Sequence, residues 1–175
     1  MREKVISIFG TSKALPDSAG YKTACELGER LARAGFAIAN GGYGGTMFAS
    51  AEAASKAGGE VIGVTCTAFK RGRANQYVSR EISTNSLDER LNKLIELGDG
   101  FVVLPGSTGT LLELAAVWEL KNKGFLDGGK PIILLGEFWR PLVKLMAAED
   151  AQSVGCIEVA PTPADAVEML KKLNK

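Results

Sequence analysis

Short apolar runs alternate with longer segments of helical periodicity along this chain. The apolar runs predict strands at residues 5–9, 36–39, 61–64, 101–104, 132–135 and 157–159. Between and after them, the residue patterns predict helices at 19–34, 46–57, 86–97, 110–122, 138–148 and 163–173. Strands that are apolar without alternation are typical of parallel sheets, which helices cover on both sides. The pattern therefore predicts an α/β fold in which an open parallel sheet carries helices on both faces.

The chain has the organisation of one domain. Its 175 residues are enough for one core, and neither a repeat nor a linker interrupts them, so we expect a single domain over residues 1–175. Residues 66–80 lack an apolar pattern and are polar and basic, which predicts a long loop.

The charge balance limits the classes of partner. The chain has 21 basic and 20 acidic residues, which argues against nucleic acid or a membrane surface as a partner, since either needs a basic excess. The apolar start at residues 5–9 is too short for a signal peptide or a membrane span. The cysteines Cys25, Cys66 and Cys156 form no close pair, which is typical of reduced thiols. We therefore expect a cytoplasmic protein.

Histidine is absent, and this excludes several kinds of active site. Without histidine there is no Ser-His-Asp or Cys-His nucleophile system and no histidine-ligated zinc, haem or non-haem iron. Acid–base chemistry must come from Asp, Glu, Lys, Tyr, Cys or positioned water. No cluster of ligand residues indicates a metal, and we expect neither a metal nor a cofactor.

Glycine and other small residues concentrate in loops that follow predicted strands. Parallel sheets bind ligands beyond the carboxyl ends of their strands, which makes loops 10–18, 40–45, 65–80 and 105–109 the candidates. Glycine admits a phosphate close to the backbone, and a helix N-terminus offers free N–H groups. Alternatively, the glycines serve only to make tight turns. The common dinucleotide fingerprint is absent, because Met47 stands where its third glycine would be.

Four segments carry a family resemblance. Residues 105–113, PGSTGTLLE, resemble the P-G-G-x-G-T-x-x-E motif of the Lonely guy family of nucleotide phosphoribohydrolases. This family also bears the label "possible lysine decarboxylase" and includes molybdenum-cofactor carrier-like proteins. Residues 40–47, NGGYGGTM, are similar to its G-G-G-x-x-G-x-M loop, and residues 87–90, LDER, to its M-x-x-R-K segment. Residues 9–12, FGTS, resemble its first turn, and the order matches from about residue 4 to 140.

The resemblance implies a fold, a site and a reaction. It implies a Rossmann-like fold, a homodimer or higher homo-oligomer, and hydrolysis of a nucleoside 5'-monophosphate to free base and ribose 5-phosphate. Glu113 and Arg90 match the family's catalytic pair. By the same resemblance, the nucleotide and its phosphate would be held by Gly10, Thr11, Ser12, Gly41, Gly42, Gly44, Gly45, Thr46, Gly106, Ser107, Thr108, Gly109 and Thr110.

Three positions depart from the family pattern, and two of them, Ser107 and Leu91, favour a second hypothesis. Ser107 replaces a glycine, Leu87 a methionine and Leu91 a lysine, so that a positive charge is lost near the site. The alternative is therefore a protein that binds or carries a nucleotide or the molybdenum cofactor without turnover. A third hypothesis, lysine decarboxylase, is disfavoured because no motif provides the Schiff-base lysine and pyridinium partner that pyridoxal phosphate needs.

Several candidate residues also have a purely structural interpretation. Thr110 and Glu113 have the spacing of a helix capping box, as do Ser86 and Glu89. Arg90 would lie early in its helix, where a cation is unfavourable unless an anion such as Glu113 or a phosphate compensates, or else it is a solvated surface residue.

Two further features leave alternatives open. The basic run Lys70, Arg71 and Arg73 either is a solvated surface or attracts an anionic nucleotide. The helix at 110–122 is apolar nearly all round, which predicts burial and, in this fold class, a dimer interface.

Overall fold

The computed structural model describes residues 3–70, 72–126 and 129–174. Its strands are β1 (Lys4–Phe9), β2 (Phe36–Asn40), β3 (Val61–Cys66), β4 (Arg80–Thr84), β5 (Gly100–Val103), β6 (Ile132–Leu135) and β7 (Glu158–Ala160). Its α-helices are α1 (Ala19–Arg33), α2 (Thr46–Lys56), α3 (Leu87–Leu97), α4 (Thr108–Asn122), α5 (Arg140–Glu149) and α6 (Pro163–Leu170). Short 3-10 helices cover Thr67–Phe69, Ser153–Cys156 and Lys171–Asn174.

The strands form one parallel sheet in the order β4-β3-β2-β1-β5-β6-β7. The chain builds outward from β1 to β4 on one side and then returns to place β5 against the other edge of β1, pairing Phe9 with Val103. The strand order therefore reverses between β1 and β5. At such a point the loops that leave the two strands diverge, which opens a crevice at the carboxyl ends of the strands.

Both faces of the sheet are covered, as the apolar strands predict. Successive strand residues point to opposite faces: Ile6 and Ile8 pack on one side, and Val5 and Phe9 on the other. The first side is covered by α1, α2 and α6, and the second by α3, α4 and α5. These packed faces confirm the α/β Rossmann-like open parallel sheet.

The prediction of a long loop over 66–80 is wrong at both of its ends. Strand β3 continues to Cys66, a 3-10 turn follows it, and β4 begins at Arg80. Strand β4 lies at the edge of the sheet, where only Thr84 is fully buried, so its sequence has no apolar run to detect. Pairing of its backbone with β3 defines it instead.

The predicted helix boundaries need small corrections. Helix α4 begins at Thr108 rather than 110, α5 spans Arg140–Glu149 rather than 138–148, and α6 ends at Leu170. The predicted capping box of Ser86 and Glu89 forms in part: the Ser86 side chain accepts a hydrogen bond from the Glu89 backbone N–H, but among the described residues the return bond to the Ser86 N–H is not made. The Glu89 carboxylate accepts from the N–H of Asn85 at 2.8 Å. Within the described residues, no helix is long and apolar enough to cross a membrane.

Candidate active site

A cleft of about 490 Å³ opens where the strand order reverses. The loop after β1, the glycine loop after β2 and the loop between β5 and α4 all contribute to it, together with α3. Its walls are formed by Ile8, Gly10, Thr11, Ser12, Lys13, Gly41, Tyr43, Met47, Phe69, Leu87, Arg90, Leu91, Ser107, Thr108, Gly109, Thr110, Leu112 and Glu113. Ten of the fifteen predicted site residues are in this set: Gly10, Thr11, Ser12, Gly41, Arg90, Ser107, Thr108, Gly109, Thr110 and Glu113.

Arg90 forms part of the cleft wall as a buried cation. It lies in the first turn of α3 and is only 8% exposed, which excludes the solvated surface interpretation. Its Nε donates to the backbone carbonyl of Val64 at 2.9 Å, and its guanidinium carbon lies 5.9 Å from the ring centre of Tyr43 and 5.6 Å from that of Phe69. Aromatic faces attract a guanidinium, so the two rings and the carbonyl hold this side chain in place.

Glu113 supplies the carboxylate opposite this cation. Its Oε1 lies 3.6 Å from Nη1 of Arg90, and its side chain is 13% exposed. Burial raises the pKa of Glu113 to about 7, and Arg90 offsets only part of that rise. The cleft therefore contains a carboxyl group that exchanges a proton near neutral pH, which suits an acid–base role.

Gly41 makes room for the arginine. A Cβ atom at this position would lie 1.7 Å from Nη2 of Arg90 and 2.6 Å from the sulfur of Met47. The side chain of Asn40, fully buried at the end of β2, fixes the start of the loop by accepting from the Gly42 N–H at 2.8 Å and donating to the Met47 carbonyl at 3.0 Å. The glycine loop thus forms the surface against which the Arg90 side chain packs.

The first turn of α4 contains an unpartnered hydroxyl at a residue that lines the cleft. Thr110 lies in the first turn of α4 and is 2% exposed, and within the described residues its Oγ1 has no hydrogen-bond partner. The predicted capping box of Thr110 and Glu113 is therefore wrong: Ser107 is the N-cap, and Glu113 turns to Arg90 instead. A buried polar group without a partner is costly, and this hydroxyl faces Gly106, on which an added Cβ would lie 2.1 Å from it.

The five remaining predicted residues do not line the cleft. Thr46 and Gly45 pack on the loop after β1, where the backbone N–H and the side chain of Thr46 donate to the Thr11 carbonyl at 2.9 and 3.1 Å. Gly42 packs against Thr65, Ala74 and Gly63, and Gly106 against the side chain of Thr110. Gly44 lines an adjacent groove rather than the cleft.

Other cleft residues were not identified from the sequence. Lys13 adds an exposed cation, Tyr43 and Phe69 add aromatic faces, and Met47, Leu87, Leu91 and Leu112 add apolar walls. The glycine motif contained Tyr43 and Met47, and Lys13 follows the first-strand turn directly, so adjacency to these motifs was the available signal. Phe69 lay inside a segment interpreted as a polar loop, where nothing marked it.

The basic run after β3 lies outside the cleft. Lys70 is exposed and adopts a left-handed conformation with φ of 52°, while Arg73 lines the adjacent groove. Arg71 lies outside the described residues.

Sequence comparisons relate the chain to known proteins. Residues 3–167 match the SLOG cluster4 family. The chain is 31% identical to a probable cytokinin riboside 5'-monophosphate phosphoribohydrolase of Oryza sativa subsp. japonica, with 96% of this chain and 70% of that protein aligned. It is 30% identical to an uncharacterized protein of Archaeoglobus fulgidus, with 78% and 87% aligned. A cytokinin riboside 5'-monophosphate phosphoribohydrolase of Mycobacterium tuberculosis is 34% identical over 64% of this chain and 60% of that protein.

Solved structures share the fold over nearly the full length. The molybdenum cofactor binding protein of Rippkaea orientalis superposes with a TM-score of 0.82 and 26% identity, covering 100% of this chain and 99% of that one. The molybdenum cofactor carrier protein of Chlamydomonas reinhardtii superposes with a TM-score of 0.79 and 27% identity, covering 99% of this chain and 100% of that one. DNA processing protein A of Streptococcus pneumoniae shares the fold alone. It superposes with a TM-score of 0.67 and 14% identity, covering 95% of this chain and 61% of that one.

Proposed function

This chain belongs to the SLOG cluster4 family, and from that membership and the geometry of its cleft we propose that it is a phosphoribohydrolase. Its substrate would be a purine or modified-purine nucleoside 5'-monophosphate, and its products the free base and ribose 5-phosphate. Relatives from plants and bacteria that carry phosphoribohydrolase names support this proposal.

The observation that carries the proposal is the Arg90–Glu113 pair in the cleft wall. A carboxylate with a pKa of about 7 lies 3.6 Å from a buried guanidinium, and both line a cleft large enough for a small organic ligand. Cleavage of an N-glycosidic bond passes through a cationic, oxocarbenium-like sugar, as in glycoside hydrolysis. A carboxylate beside the anomeric carbon stabilises that cation and accepts a proton from the attacking water.

The start of α4 would hold the phosphate. The first N–H groups of a helix have no partners within it, and their dipoles favour an anion. Ser107, Thr108 and Gly109 present this end of α4 to the cleft, and the unpartnered hydroxyl of Thr110 lies beside them. Lys13 adds a positive charge at the same cleft.

The proposed reaction balances without a cofactor. Water attacks the anomeric carbon as its bond to the base nitrogen breaks, and the bonding electrons leave with the base. Ionised Glu113 takes the proton from water, and a proton returns to the base nitrogen. Arg90 would orient Glu113 or hold the sugar phosphate, and no histidine is required.

A panel of nucleoside 5'-monophosphates tests the proposal. The purified protein should release free base and ribose 5-phosphate, in equal amounts, from at least one purine member, as measured by chromatography. Measurable binding of members of the panel without release from any of them would contradict catalysis.

A non-catalytic carrier is the second candidate, and two observations favour it. The neighbours named for binding or carrying the molybdenum cofactor align over essentially the whole of both chains at 26–27% identity. In addition, Leu91 stands where the resembling family has a lysine. A carrier would bind the isolated molybdenum cofactor or a nucleotide and return it unchanged, so the product analysis above separates the two candidates.

We propose a homodimer, or a higher homo-oligomer, from the surface of α4. The helix buries Leu114, Val117 and Trp118 against the sheet but leaves Leu112 41% exposed beside the exposed Ala115. Light scattering should give at least twice the 18.5 kDa of one chain, and a mass of 18.5 kDa would contradict this. A cytoplasmic location likewise stays a prediction from the unclustered cysteines.

A further inference from the structure

A second, more open groove of about 560 Å³ adjoins the cleft. Ser12, Lys13 and Tyr43 line both spaces, so that a ligand bound in the cleft can extend into the groove past these residues. The far side of the groove is formed by Gly44, Phe48, Arg73 and Asn75.

The charge of this groove is entirely positive. Lys13 and Arg73 line it, and no acidic side chain does so among the described residues. In the part of the chain that the structure describes, neither cation forms an ion pair, although most exposed arginines do. Two cations around one concave surface repel each other, and an anion between them relieves that repulsion.

The groove is also held in shape by its neighbours. The Asn75 side chain donates to the carbonyls of Gly42 and Tyr43 at 3.1 and 3.0 Å, which ties the loop after β3 to the glycine loop. The backbone N–H of Asn75 donates to the Gly42 carbonyl at 2.8 Å. On the other wall, Phe48 packs edge-on against Tyr77 with ring centres 5.2 Å apart. The loop that carries Arg73 is therefore anchored beside the cleft.

We propose that this groove binds a second phosphate group of the nucleotide ligand. The inference rests on the proposed function, since the cleft would hold the nucleoside and its first phosphate at the start of α4. The second phosphate would be joined either through a diphosphate bond or to another ribose hydroxyl, and both ligand types share the doubly anionic chemistry that Lys13 and Arg73 recognise.

Calorimetric titration with AMP, ADP and adenosine 3',5'-bisphosphate tests this proposal. The titrations use the Glu113→Gln variant, in which the ligand survives, and are repeated with the unaltered protein for every ligand that it does not cleave. ADP or the bisphosphate should bind about tenfold more tightly than AMP, the gain from about one charge-assisted contact. Which of the two gains more identifies the attachment of the second phosphate.

Arg73→Gln provides the matched test, because Arg73 lines the groove and not the cleft. This variant should lose the tenfold gain and keep the affinity for AMP. Arg140→Gln, an exposed arginine on α5 that lines neither space, should change neither affinity.

The outcomes separate this inference from the proposed function. Equal affinities for AMP and both doubly phosphorylated ligands, or a gain that persists in Arg73→Gln, would overturn the groove assignment. Release of free base from a monophosphate by the unaltered protein would leave the proposed function standing in that case. If none of the three ligands binds, the groove assignment also fails, and the panel of monophosphates decides the function independently.

Discussion

The Arg90–Glu113 pair brings two opposing effects together at one carboxyl group. Burial disfavours the ionised form, and the nearby guanidinium favours it. Burial is the larger effect, so the pKa of Glu113 rises to about 7 even though a cation lies 3.6 Å away. The side chain is therefore able to carry or release a proton at neutral pH, which an ordinary surface glutamate does not do.

The pH dependence of turnover should report the ionisation of Glu113. If ionised Glu113 accepts the proton of water, kcat/KM rises with pH and reaches half its plateau near pH 7. The substrate phosphate also titrates, near pH 6. The contribution of the phosphate is obtained in a separate experiment, the pH dependence of ribose 5-phosphate binding, and is used to correct the profile. A corrected profile that is flat from pH 5 to 8 would speak against Glu113 as the base.

The same carboxyl group should affect stability in a defined direction. Its folded pKa, about 7, lies above the ordinary value of 4.5, so the folded protein holds a proton that the unfolded chain has lost between these pH values. Stability is then lost as pH rises from about 4.5 to 7. Glu113→Gln removes this loss, so its melting temperature should match that of the unaltered protein at pH 4.5 and exceed it at pH 8.

A neighbouring variant controls for changes to the helix. Glu119→Gln lies on the same helix with a side chain 62% exposed, so it relieves no burial and should not share the gain in melting temperature at pH 8. A Glu113→Gln variant that is less stable than the unaltered protein at pH 8 would mean that the ion pair, rather than burial, dominates.

Sequence reasoning identified this pair but not its surroundings. The motifs contain Glu113 and Arg90, and a cation in the first turn of a helix requires an anion nearby, which the structure provides. Tyr43 and Phe69 were not predicted as neighbours of Arg90, because an aromatic residue in a loop has no periodicity that indicates where its ring will point. Their role around Arg90 follows only from the packing of the glycine loop, the 3-10 turn after β3 and α3.

Among the elements, the loop between β5 and α4 needs glycine where it meets the first turn of α4. A Cβ atom on Gly106 would lie 2.1 Å from Oγ1 and 2.5 Å from Cβ of Thr110, both on the first turn of α4. Neither atom can yield without moving the helix start. The absence of a side chain at position 106 therefore lets the loop pack against the first turn of α4, which sets the direction of the N–H groups there.

Gly106→Ala should weaken phosphate binding through this contact. Displacement of the loop by about 1 Å is enough to cost up to about a hundredfold in a positioned site, so we expect the Kd for ribose 5-phosphate to rise by at least about tenfold. Gly20→Ala in α1 is the control: no atom lies within 4 Å of its added Cβ. That variant should bind ribose 5-phosphate unchanged and gain about 0.5–1 kcal/mol in stability. Equal affinities of both variants for ribose 5-phosphate would show that this loop does not position the phosphate.

The elements that the sequence predicted well are those with a buried face. Strands β1, β2, β3, β5 and β6 are continuous apolar runs, so each was assigned within two residues of its observed ends. Strand β4 was missed because an edge strand with exposed side chains has no such run. The capping interpretation of Thr110 failed because the spacing of Thr110 and Glu113 fits a capping box wherever the helix begins. The helix begins two residues before Thr110, with Ser107 as its N-cap.

At the scale of the whole molecule, the strand order determines where chemistry is placed. Alternation of strands and helices predicts a parallel sheet but not which strands are neighbours, so the position of the crevice between β1 and β5 had to come from the structure. Once β5 lies against β1, residues about a hundred positions apart in sequence, such as Gly10 and Thr110, line one cleft. The family resemblance implied the same grouping through its motifs.

If the proposed function is correct, this cleft uses Glu113 to cleave a nucleotide but not to bind its phosphate. The direct measurement compares Glu113→Gln with Glu119→Gln on the purine nucleoside 5'-monophosphate that the unaltered protein cleaves fastest, and follows ribose 5-phosphate formation together with the Kd for that product. We predict that Glu113→Gln lowers kcat by at least about a hundredfold while Kd changes little, and that Glu119→Gln keeps both values. A Glu113→Gln variant that forms ribose 5-phosphate at the unaltered rate would contradict a catalytic role for Glu113.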